Sequence, residues 1–224
     1  MVPKHDVTTQ QIISNETGKT FAHTVSATKN DMGIVVKLVL HDGTAATDFS
    51  GEYDSVAMTK IIDVSYQNSA TDWQQIVVWV LANPSTGSND VAISWVGSNY
   101  GYIEVSSYSG VNQIAPYSGA DSADGESNAA SIDIVSAVGS LALDVLSTDA
   151  GTEISAAADQ IERMDQEVPG TTPGRCGGSE MEGQATTSCD WAIDTSVEWL
   201  IGGFSLEGLG IEGGGVAITP VLMI

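Results

Sequence analysis

Apolar and β-branched residues recur in short runs about every ten to fifteen positions, separated by Gly, Asn, Asp, Ser or Pro. The pattern predicts strands over residues 21–28, 33–41, 55–66, 74–82, 90–96 and 102–109. It predicts others over 131–137, 140–147, 160–167 and 191–206. The last is long enough to bend, and Gly202-Gly203 is where a bend or bulge is expected. Residues 153–164 alone have helical character, but their apolar spacing is irregular and SAAAD supplies one turn at most. A run of about ten strands without helices predicts an all-β fold, a β-sandwich of two packed antiparallel sheets.

Side-chain parity sharpens one stretch, VVWVLANPSTGSNDVAISW at 77–95. Pro84 and Gly87 lie between two apolar runs and predict a hairpin or a connection between sheets. Val91, Ile93 and Trp95 share one strand face, so this strand is half-buried with Trp95 inside. The preceding run is apolar on both faces, with Ile76, Val78 and Val80 against Val77, Trp79 and Leu81. It predicts a central strand whose second face is covered by a loop or a neighbouring copy. Core packing is the expectation for both tryptophans, and an aromatic ligand platform is the alternative.

The ends break the pattern. Residues 1–20 lack period-2 alternation and are expected to form an N-terminal arm, although Ile12 and Ile13 could join a sheet edge. The sandwich is expected over 21–208. Residues 209–224 then combine a Gly-rich linker with the apolar run VAITPVLMI. That run is costly to expose, so Val216, Ile218, Val221, Leu222 and Ile224 are candidate interaction residues, pairing on their own domain or inserting into a neighbour.

Charge changes the picture of partners. Seven Lys and Arg stand against 29 Asp and Glu, a net charge of −22, and a field of that sign repels nucleic acid. The polar N-terminus predicts no signal peptide, and no apolar run reaches the ~18 residues of a membrane span. Synthesis in the cytoplasm is expected, with no membrane partner.

Catalytic motifs are missing from the sequence: no G-x-S-x-G elbow, no H-E-x-x-H, no phosphate loop and no dinucleotide fingerprint. The chain is therefore expected not to be an enzyme. His23 reads as a structural histidine. The acidic stretches DFSGEYDS from Asp48 and DSADGE from Asp121 raise a calcium reading, against solvated acidic turns, and neither fits an EF-hand. No resident cofactor is expected. Cys176 and Cys189 flank a Gly/Ser-rich stretch that could fold back and join them in a disulfide. Tyr102 and Tyr108 share a face with Glu104 and Ser106, which suits either a glycan-binding surface or a structural one.

Several stretches in order, FAHTVSAT, IVVKLVL, DSVAMTKI, VVWVLANPSTGSNDVAISW, VSSYSGVNQIAPY and GSLALDVLS, carry a resemblance. Over about residues 20–208 the chain resembles a jelly-roll β-sandwich module of bacteriophage virion proteins and bacterial surface or secreted proteins. The segment from Trp79 to Trp95 and the turn from Ser109 to Pro116 are its most specific parts, and the likeness weakens after Ala150. The module brings no catalytic residues. It implies a structural protein of a tailed-phage virion: a capsid decoration (cement) protein, or else a head-fibre or tail-associated piece. Partners would be capsid or other virion proteins, with self-association as a dimer or trimer. A carbohydrate-binding or adhesion module is the alternative it leaves open.

Overall fold

The computed structural model describes residues 1–69, 72–170 and 174–210, with Asp42, Asn68 and Ser69 described by backbone alone. Among them the chain forms thirteen strands and no helix. The first sheet holds β1 (Lys4–Val25), β2 (Gly33–Asp42), β3 (Thr47–Tyr53), β4 (Val56–Ala57), β5 (Thr59–Ser69), β6 (Asp72–Ala82) and β7 (Gly87–Ser109). The second holds β8 (Tyr117–Ile134), β9 (Leu141–Thr148), β10 (Ile154–Ala156), β11 (Ile161–Val168), β12 (Gly174–Glu182) and β13 (Thr187–Leu206). Every pairing is antiparallel. The expected two-sheet, all-β architecture is what the chain adopts.

The two sheets repeat one connection pattern. The first runs β1-β7-β2-β6-β5, with β3 beside the early part of β7. The second runs β8-β13-β9-β12-β11, with β10 beside the early part of β13. Strands β1, β2, β3, β5, β6 and β7 thus take the places of β8 to β13 in the same chain order; only β4, a two-residue partner of β3, lacks a counterpart. The chain is a tandem repeat, with residues 4–109 building one sheet and residues 117–206 the other.

Each sheet also folds over itself. In β7 the stretch 100–108 pairs with β2, while 91–96 pairs with β3. Register shifts in β1 between Ser14 and Gly18, with Asn15 at φ 56° and Gly97 of β7 at φ 108°, let both strands turn there. The corresponding break in β13 falls between Ala192 and Val197.

Three cores result. Between the sheets lie Val35, Val39, Ile76, Val78, Tyr108, Leu143, Val145 and Phe204 among others. Within the folded first sheet lie Val36, Leu38, Val77, Trp79, Val91, Ile93 and Trp95. Within the second lie Ile132, Ile134, Leu146, Cys189, Trp191 and Ile201. Strand β6 therefore reads apolar on both faces because alternate residues serve different cores. Its second face is covered by the folded-over part of its own sheet. Each large apolar side chain so buried contributes roughly 1.5–3 kcal/mol before ordering costs.

Several expectations need correction. Residues 1–20 are no arm: β1 starts at Lys4 and pairs along nearly all of β7, because its outer edge and one face tolerate polar side chains. The stretch 83–86 does not close a hairpin, since β6 pairs with β2 and β5 and β7 starts in the folded-over layer. The acidic stretch at Asp121 lies in β8, and that at Asp48 runs along β3 into the turn at Asp54-Ser55, so neither is the open loop the calcium reading assumed. Cys176 and Cys189 are both free and buried. Strand β9 sits between β12 and the later half of β13, and the two thiols belong to different cores. The linker and apolar tail were expected over 209–224. The described chain continues to Gly210, with Gly208 bridging to Val111; Val216, Ile218, Val221, Leu222 and Ile224 lie outside the described residues.

Candidate functional site: a polar seam and an apolar end

Polar groups interrupt the core between the halves. Lys37 on β2 and Glu104 on β7 are register partners pointing toward the second sheet, both fully buried, with Nζ 3.3 Å from Oε1. Gly178 of β12 makes room for the ammonium: a Cβ there would lie 3.1 Å from Lys37 Nζ. The neighbouring Gly177 is pressed on the other face by Trp191, 2.7 Å from where its Cβ would be. The pair of glycines thus lets two large side chains approach one strand from opposite sides.

From Glu104 a chain of hydrogen bonds runs to the surface. Ser106 Oγ donates to Glu104 Oε1 (3.2 Å), Ser106 and Thr8 hydroxyls meet at 2.7 Å, and Thr8 Oγ1 meets His5 Nε2 at 2.7 Å. His5 stands edge-on to the Tyr108 ring, at 5.6 Å between centroids. Burial and the nearby Arg163 guanidinium hold the His5 imidazole below its usual pKa, so it is neutral at pH 7. Tyr108 donates to Glu180 Oε2 across the halves (2.9 Å), and Arg163 bonds the other oxygen of Glu180. Burial, with Glu180 and Glu104 nearby, pushes the Tyr108 phenol well up. His5, Arg163 and Glu180 open onto a cavity of 330 Å³ floored by Leu141, Ile161 and Met181.

Tyr102 and Tyr108 therefore form no exposed sugar platform. Both are buried at the seam, where Tyr102 donates to Gln10 Oε1 (3.0 Å) and Tyr108 to Glu180. Their face looks onto the second half of the chain, a neighbour that parity alone does not reveal. A second link is His41 of β2, whose Nε2 lies 2.7 Å from Ser147 Oγ on β9. Burial lowers its pKa to about 4. His23 is likewise buried, against Thr9 Oγ1 at 2.9 Å, with its pKa lowered to about 4 by burial first. Inside the second half, buried Asp144 accepts from Ser179 N, Ser179 Oγ, Gln160 Nε2 and Trp191 Nε1. Burial still raises its pKa, even with Lys37 lowering it.

No family model, curated protein or solved structure matches this chain. The chemistry must be read from the residues alone.

Glu104, Glu180, His41 and Asp144 bond across strands or halves, whereas the ring hydrogen bonds of His5 and His23 go to Thr8 and Thr9 of their own strand. Among the described residues, no group of three or more His, Cys, Asp or Glu is placed to hold a metal ion. Burial first also pushes the thiols of Cys176 and Cys189 far up, which leaves them as packed, unreactive side chains.

Of the nine large apolar side chains left exposed among the described residues, the four most exposed stand at one end of the sandwich, while Val7, Ile12, Val56, Val96 and Ile161 are spread over β1, β4, β7 and β11. Ile114, Val138, Val135 and Met1 are 97%, 92%, 68% and 67% exposed. Loop 110–116 carries Ile114 and is tied to the end of β13: Asn112 N donates to Glu207 O, and Glu207 N donates to Pro116 O. Val138 and Met1 line a 320 Å³ cavity together with Gly208, Leu209 and Gly210. Sequence reasoning missed this end because Ile114 and Val138 lie singly in turn-like stretches and Val135 was expected within a strand over 131–137. Only folding brings them near Met1.

Proposed function

We propose that the protein is a non-enzymatic structural component of a larger particle, which it joins through this apolar end. The observation that carries the reading is that the four most exposed large apolar side chains among the described residues, Met1, Ile114, Val135 and Val138, stand at this one end. Large apolar side chains left in water on an otherwise strongly acidic protein are what a docking surface needs. The open sheet edges favour this end over lateral strand pairing. β8 carries Asp121, Asp124 and Glu126 among small polar residues, and β1 is bulged, both of which discourage strand addition. The resemblance to virion modules gives the reading its specific form: a tailed-phage capsid decoration protein, bound to capsid proteins or grouped as dimers or trimers.

The test is compositional. Particles purified from a culture carrying the gene should contain the full chain as a stoichiometric component. The Ile114→Asp, Val135→Asp double variant should remain in the soluble fraction. A wild-type chain found only in the soluble fraction, or a variant that stays particle-bound, overturns the reading.

A further inference from the structure

We infer that Lys37 and Glu104 condense into an intramolecular amide, a covalent cross-link between β2 and β7 formed with loss of one water. This goes beyond the particle reading and stands whether or not that reading holds.

The two side chains are arranged as reactants rather than as a satisfied ion pair. Both are closed to solvent, at 1% exposure each. Nζ lies 3.3 Å from Oε1, yet the contact lacks hydrogen-bond geometry, and neither Nζ nor the second oxygen, Oε2, has a hydrogen-bond partner. As register partners on adjacent strands, the two residues hold amine against carboxyl group. Such fixed proximity replaces a collision by an intramolecular step. Val78 lies opposite Lys37 on β6, with Val35 and Val39 beside it on the same face, so the setting is apolar. An ammonium with unused donors is costly there, whereas an amide asks for only one donor and one acceptor to be satisfied. Glu104 is also the acid within reach. Asp144 alternates with Leu143 and Val145 and turns its carboxylate to the other face of β9, toward Ser179 and Trp191.

The step balances within the pair. Nζ passes one proton to Oε2, and its freed lone pair attacks the carboxyl carbon. The C–N bond forms, negative charge gathers on Oε1, and Nζ gives a second proton to Oε2. The bond from carbon to Oε2 then breaks, and that oxygen leaves as water with both protons. Ser106 Oγ donates to Oε1, the oxygen that stays, at 3.2 Å. Because the Ser106 hydrogen is used there, Thr8 donates to Ser106 and His5 Nε2 donates to Thr8. This line of donors is polarised toward Oε1, where it stabilises the oxyanion and afterwards the amide carbonyl. Oε2, the atom without a partner, is the one free to go.

Mass spectrometry of the full-length chain tests this. Wild type should weigh less than its sequence by one water. Its tryptic digest should contain a branched peptide joining the segments around Lys37 and Glu104, with no cleavage after Lys37. Lys37→Met should have the full mass of its own sequence. A wild-type chain at full sequence mass overturns the inference. So does a water loss that persists in Lys37→Met, which would place the dehydration elsewhere. Should that variant fail to fold, the wild-type digest decides, since unlinked peptides ending at Lys37 overturn the cross-link. Ser106→Ala, which removes the donor to Oε1, should be recovered mainly at the uncondensed mass, and complete condensation in it would overturn the step as written.

Discussion

Acid should loosen the contact between the two halves, and His41 sets where. Its imidazole is buried between β2 and β9 and bonded to Ser147, with a pKa of about 4 against 6.5 for the free side chain. The unfolded chain therefore takes up this proton at a higher pH than the folded one. A depressed histidine pKa means that the native state is fully favoured above pH 6.5. The advantage shrinks as pH falls, and levels off near pH 4. Integrating the proton uptake gives a loss of about 2 kcal/mol between pH 7 and pH 5 from His41 alone, and about 3 kcal/mol in total. His23 acts in the same direction over the same window. Buried Asp144, with its raised pKa, acts in the opposite direction, losing stability as pH rises through the carboxylate range. Denaturant unfolding at pH 7 and pH 5, at constant salt, would measure the slope. His41→Gln can keep a hydrogen bond to Ser147 without titrating. Wild type should lose about 2 kcal/mol more than this variant between the two pH values. Parallel losses in the two proteins would refute the burial argument.

Two further outcomes follow from charge. Glu104→Gln should cost about 3–5 kcal/mol, because it leaves the buried Lys37 ammonium without its counter-ion. The Lys37→Met, Glu104→Leu double variant should be more stable than Glu104→Gln in the same unfolding assay, and an equal or lower stability would show that the pair is not the issue. Salt should stabilise the fold: six of the seven Lys and Arg are already in ion pairs, leaving most of a −22 charge to repel itself. Raising KCl from about 0.01 to 1 M shortens the screening length from about 30 to 3 Å, so the melting midpoint should rise by about 5 °C or more. A flat midpoint in scanning calorimetry would contradict the self-repulsion account.

Parity carried much of the fold. The alternation of Val91, Ile93 and Trp95 placed them inside, and they are. Gly202-Gly203 was expected to hold a bend or bulge, and β13 shifts register between Gly203 and Ser205. Alternation fails where a strand is polar on both sides. β8 is largely exposed over its first dozen residues, so YSGADSADGES carries no hydrophobic period although it is fully strand. β12 was hidden for another reason: Gly177 and Gly178 look like a loop, yet they are strand positions emptied for Trp191 and Lys37. The tandem repeat was invisible because the two halves share connections rather than residues. The seam was half legible, since Tyr102, Glu104, Ser106 and Tyr108 were grouped on one face, but their cover comes from β11 and β12.

The repeat has a consequence for what the seam can contain. In a symmetric dimer every residue occurs twice, so a buried ammonium would have to be accommodated twice about one axis. Here the inward positions of β7 carry Tyr102, Glu104, Ser106 and Tyr108, while those of β13 carry Leu200, Gly202, Phe204 and Leu206. One covalent chain has let the two members of the pair diverge, β7 carrying the Glu104 carboxylate that faces Lys37 and β13 an apolar face. Because that pairing is unimolecular, dilution cannot undo it.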